Sequence, residues 1–136
     1  MLKRRDEREI LFLLLFENDF NNYDLDSILE NKNEVSDSPF KITDFIKNSF
    51  LEIKKNQDYI DDLISNHLIK WEKNRISRVS LAILRLATYE IFFNNDIPDN
   101  VSINEAVELA KKYGVDSEFS FINGILGSLC KEKQNN

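Results

Sequence analysis

Three glycines and two prolines are all that this chain of 136 residues offers for sharp turning. An all-β fold needs turn residues about every 8–12 positions, and the supply here is far too small. Helices need fewer, and the apolar spacing supplies them. Ile60, Leu63, Ile64, His67, Leu68 and Trp71 fall at i, i+3, i+4, i+7, i+8 and i+11, which is one face of a helix. The fold class is therefore all-α, with six or seven helices. A chain of this length fits a single domain spanning 1–136, with a flexible tail expected from about 131.

The other helices follow from pattern and punctuation. Residues 3–18 form a first helix whose front half is charged, while 10–16 are apolar on every side, as in a helix entering a core. Leu25, Ile28 and Leu29 suggest a short helix between two loops. Ser38-Pro39 is a start signal, a capping hydroxyl before a proline at the first helical position. Phe45, Ile46, Phe50 and Ile53 then mark an apolar face. Residues 79–93 are nearly all apolar and predict a central helix. Ser102-Ile103-Asn104-Glu105 has capping-box spacing, with Val101 as a staple, and that helix should end at Gly114. A last helix from Asp116 or Ser117 should bury Phe119, Ile122, Ile125, Leu126 and Leu129. Gly124 and Gly127 inside it predict the close approach of another backbone.

Charge narrows the function. The net charge of −6 argues against a protein coated in nucleic acid. The excess is local, however, because residues 17–37 hold seven acids against Lys32 alone. The rest is neutral overall and leaves room for a modest basic surface. The lone Cys130 forms no internal disulfide, which suits a reducing, cytoplasmic setting. No apolar run approaches the roughly 18 residues of a membrane span, and the charged residues 4–9 do not read as a signal peptide.

Signals of catalysis are nearly absent. The chain has no glycine-rich phosphate loop, no dinucleotide fingerprint and no Cys/His pair at metal spacing, so no catalytic residue, metal or cofactor is assigned. His67, the only histidine, lies on an apolar stripe and reads as a satisfied, partly buried side chain. Arg85 on the central helix must find an acid, with Glu90 and Glu105 the candidates for a structural ion pair. Lys3, Arg4, Arg5 and Arg8 crowd a helix start, where the dipole disfavours positive charge. A solvated, salt-bridged helix end is one reading of them. An arginine surface for phosphates is the other.

Four blocks carry a family resemblance. Arg4-Arg5-Asp6-Glu7-Arg8-Glu9, with the apolar run into Phe16, resembles the arginine-rich first helix of the NusB transcription antitermination family. Residues 83–90 (Ile-Leu-Arg-Leu-Ala-Thr-Tyr-Glu) are similar to its central helix. Asp96-Ile97-Pro98 with 103–111, and Phe121-Ile122-Asn123-Gly124-Ile125-Leu126, match its remaining blocks in order. The resemblance implies two packed helical bundles. It also implies binding of boxA, a short single-stranded RNA element in nascent transcripts, together with the ribosomal protein NusE. With other Nus factors, and indirectly RNA polymerase, such a protein suppresses premature termination, notably on ribosomal RNA operons. Carried over by position, the RNA face is Arg4, Arg5, Arg8, Phe16, Ser117 and Phe121. Phe16 stands where many relatives have Tyr, which keeps stacking and loses a hydroxyl. Two alternatives are a helical module that binds only protein and an accessory domain detached from an RNA methyltransferase. The oligomeric state, monomer or homodimer, stays open.

Overall fold

The computed structural model describes residues 3–21, 42–68, 76–114 and 116–135. These contain six α-helices and one 3₁₀ turn, with no strand among the described residues. The expected short helix at Leu25–Leu29, the Ser38-Pro39 start and Trp71 lie outside them. The chain divides into two compact units, Met1–Lys55 and Asn56–Asn136.

In the first unit α1 (Arg4–Asn21) packs against α2 (Asp44–Lys55). The all-apolar stretch of α1 behaves as its composition demands, and Ile10, Leu11, Phe12, Leu14 and Leu15 are buried. α2 buries Ile46, Ser49, Phe50 and Ile53, one stripe at i, i+3, i+4 and i+7. Thr43 caps it, for its hydroxyl oxygen accepts the Ile46 N–H at 3.3 Å.

The second unit is built around α4 (Arg78–Phe93). Every residue from Ala82 to Ile91 on it is buried, and it touches α3 (Gln57–Ser65), α5 (Asp99–Lys112) and α6 (Phe119–Gln134). Ser77 caps α4 by accepting the Ser80 N–H at 3.0 Å. α3 is shorter than its apolar stripe suggests. It ends at Ser65, and His67 and Leu68 follow in a turn. α5 closes at Gly114, whose φ of +78° is the left-handed conformation that favours glycine after a helix.

Three expectations are corrected here. α5 begins a turn before the anticipated capping box, because the Pro98 carbonyl already accepts the Val101 and Ser102 N–H groups. Ser102 is therefore inside the helix, and its buried hydroxyl donates to Glu90 Oε1 at 2.9 Å. Phe119 is 41% exposed, since the 3₁₀ turn Asp116–Glu118 puts it at the first position of α6, before the buried stripe begins at Ile122. The close approach expected at Gly124 and Gly127 is not found, for a Cβ at either would meet nothing within 4 Å among the described residues. α6 runs to Gln134, and Lys133 near its end pairs with Asp99 at 3.0 Å.

Arg85 is buried, as its apolar neighbours require. It makes a two-point contact with Asp61 on α3, an acid the sequence reading did not name beside Glu90 and Glu105. The physical reason is placement. Asp61 follows the buried Ile60 and so sits at the edge of the α3 stripe that faces α4, while Glu90 takes the Ser102 hydroxyl. His67 is partly buried, but its Nε2 faces Glu132 Oε2 at 3.7 Å and neither atom has a hydrogen-bond partner among the described residues. The ring expected to be satisfied thus leaves Nε2 opposite Glu132 without a hydrogen bond among the described residues.

Candidate nucleic-acid interface

The first turns of α1 place their charged residues in two environments. Arg4, Arg5 and Asp6 are exposed, whereas Glu7 and Arg8 are buried, Arg8 to 6%. Positions 4, 7, 8 and 11 share one helical face, and Leu11 at the end of that row is fully buried. The row therefore turns toward the core as it advances. Glu7 is fixed there because the Thr43 hydroxyl donates to its Oε2, so the residue that caps α2 also ties down α1.

Arg4 is held at the rim of this arrangement. Its Nη1 lies 3.4 Å from Glu7 Oε1, and its guanidinium carbon sits 3.8 Å over the Phe45 ring. The side chain remains 51% exposed. A guanidinium with one face on an aromatic ring keeps its in-plane N–H groups available at the edge, the geometry that suits phosphate oxygens. Phe16, three turns on, is half-buried and stacks on the buried Phe12 with ring centroids 6.3 Å apart. Arg5, Arg8 and Phe16 all have contacts of their own within the chain.

The second group lies at the junction of the 3₁₀ turn and α6. Ser117 is exposed and Phe121 half-buried, four residues apart. Glu118 between them anchors the turn to the start of α4. Its Oε1 accepts the Ser77 N–H at 3.3 Å and the Ser80 hydroxyl at 2.9 Å. Ser120, Asn123 and Gly124 on the same helix are exposed. The six residues thus fall into two local groups, Arg4, Arg5, Arg8 and Phe16 on α1 and Ser117 with Phe121 at the α6 start, one in each compact unit.

Sequence reasoning missed the supporting side chains. Phe45, Thr43 and Glu118 hold the candidate residues in place, yet only Thr43-Asp44 carried a local signal, that of a capping residue before an acidic first turn. No group of His, Cys, Asp or Glu among the described residues is arranged to hold a metal ion, and no helix there is long and apolar enough to cross a membrane.

Comparison with known proteins agrees with this architecture. The profile of the NusB family matches residues 5–131. The transcription antitermination protein NusB of Clostridium novyi (strain NT) is 44% identical over 132 residues, covering 96% of this chain and 99% of that protein. A T. maritima NusB structure superposes with a TM-score of 0.83 at 42% identity, over 96% of this chain and 92% of that one. A second structure, of antitermination factors NusB and NusE in complex with dsRNA, shares the fold at a TM-score of 0.81 and 24% identity, over 95% and 96% of the two chains. These relatives are antitermination factors and not enzymes, and the chain belongs to the NusB family.

Proposed function

We propose that this protein binds boxA-type single-stranded RNA together with NusE, in the cytoplasm, and so suppresses premature termination of transcription. The observation that carries the RNA reading is the exposed Arg4–Arg5 pair in the first turn of α1. Positive charge at a helix N-terminus opposes the dipole, so its placement there is explained better by an anionic ligand than by the stability of the helix. Family membership supports the same reading, as does the NusB–NusE complex with dsRNA seen in a protein of this fold. In this reading Arg4, Arg5 and Arg8 serve the phosphates, Phe16 and Phe121 offer ring faces to unstacked bases, and Ser117 offers a hydroxyl.

The net charge of −6 makes RNA binding by this chain alone weak. A basic ribosomal partner adds phosphate contacts and orients the strand, so the two proteins bind RNA cooperatively. The burial of Arg8 and the Glu7 and Phe45 contacts of Arg4 favour a second reading, a helical module that binds only protein. Titration of boxA-like RNA with the chain, alone and with its own NusE, separates them. Tightening by NusE is expected, and RNA affinity that is absent in both titrations would leave the protein-only module.

A further inference from the structure

We propose that the aromatic edge made by Tyr59, Phe92 and Phe93 is a docking site for an arginine-bearing segment of a basic protein partner. It lies within the unit Asn56–Asn136 and does not rest on the RNA reading. Tyr59 on α3 is 54% exposed and Phe93, the last residue of α4, 37% exposed. Their rings meet edge to face with centroids 6.0 Å apart. Phe93 is itself stacked on the buried Tyr89 at 5.7 Å and 16°. Together with Asn56 and Phe92 they line an open groove. Rings fixed in this way present preformed faces, and ordering them on binding costs little.

Charge selects the occupant. Residues 56–68 and 89–100 contain Asp58, Asp61, Asp62, Glu90, Asp96 and Asp99 and no Lys or Arg; Lys54 and Lys55 precede them in the chain. Asp61 and Asp99 are engaged by Arg85 and Lys133, and Glu90 is buried, but Asp58, Asp62 and Asp96 are exposed. The groove also lies at the carboxyl end of α4, whose last turn holds no basic residue although those of α2, α5 and α6 do. The negative end of that helix dipole therefore adds to the acids. Aromatic faces, acids and a helix C-terminus all favour a planar cation. A guanidinium can stack on the rings while its N–H groups reach carboxylates. A nucleic acid would bring phosphates against these acids. A second copy related by twofold symmetry would bring the same acids against themselves.

The full chain, isotopically labelled for NMR, is titrated with a synthetic peptide of alternating Arg and Gly, and with its Lys and Glu counterparts. Perturbations should centre on Tyr59, Phe92 and Phe93, be weaker with the Lys peptide and vanish with the Glu peptide. Tyr59→Ser, which leaves the charge unchanged, should weaken the Arg peptide by about tenfold. Phe93→Leu keeps an apolar side chain and should also weaken binding, with a native spectrum. Equal affinity of Tyr59→Ser and the parent chain would overturn the proposal, because binding would then follow net charge alone. So would the same resonances moving with single-stranded RNA, or a doubled mass in sedimentation that Tyr59→Ser abolishes, which would give the edge to a second copy.

Discussion

Arg85 and Asp61 form a two-point ion pair across the α3–α4 contact, Nε to Oδ1 at 2.9 Å and Nη2 to Oδ2 at 3.0 Å. The arginine side chain is 11% exposed and the aspartate 27%. A parallel fork of this kind fixes the register of two helices more sharply than apolar contact does. It also makes each partner costly to remove alone.

Arg85→Leu should lower stability by about 2 kcal/mol in urea unfolding, below the usual cost of breaking a buried pair because Asp61 keeps some water. The double variant Arg85→Leu, Asp61→Leu should recover most of that loss, since neither charge is then stranded. Equal destabilisation in the single and double variants would show that the pair does not couple α3 to α4.

Gly124→Ala should stabilise the protein. Glycine inside a helix costs roughly 1 kcal/mol relative to alanine, and a Cβ at this exposed position meets nothing within 4 Å among the described residues. A rise in melting temperature checks it. Destabilisation would mean that something the geometry does not show packs against this face of α6.

The legible parts of this fold were local. The stripe of Ile60, Leu63 and Ile64, the apolar run of α4 and the glycine stop at Gly114 are set by residues within a turn or two of one another. What could not be read depends on partners far along the chain. Glu7 meets Thr43, Arg4 meets Phe45, and Ser80 meets Glu118 at a separation of 38 residues. The same limit applied to the candidate interface. The sequence marks the arginines as misplaced for a helix start, but only packing buries Arg8 while Arg4 and Arg5 stay at the surface. The capping-box pattern at Ser102 failed for a related reason, because a buried Glu90 twelve residues earlier takes the hydroxyl.

The Cys130 thiol is pushed above the ordinary thiol value by burial first, then by the charge of Asp99 and a hydrogen bond to it, with Lys133 opposing. In the window between the ordinary and the raised value the folded chain binds more protons than the unfolded one. Stability should therefore be fully present below the ordinary thiol value and be lost as pH rises through the raised one. Asp99→Ala removes the second and third causes, so alkylation of Cys130 should begin at lower pH than in the parent chain. An unchanged pH profile of alkylation would assign the shift to burial alone.

The arginines of α1 separate into two kinds by burial, and their substitutions should separate likewise. Arg4 and Arg5 are exposed, and among the described residues Arg4 would lose a rim ion pair with Glu7 and its place over the Phe45 ring. Replacing both by Ala should change thermal stability little, since exposed pairs contribute about 0–1 kcal/mol and relief of the dipole offsets part of that. RNA affinity, measured with NusE present across a salt series, should fall. The slope of log affinity against log salt should shrink by about 0.7 for each phosphate contact removed from a single strand. Arg8→Ala is different, because Arg8 is buried beside a buried Glu7. Its loss should lower the melting temperature as well as RNA affinity. If Arg4→Ala, Arg5→Ala leaves affinity and salt slope as they were, the exposed arginines do not touch RNA, and the protein-only reading gains the surface they occupy.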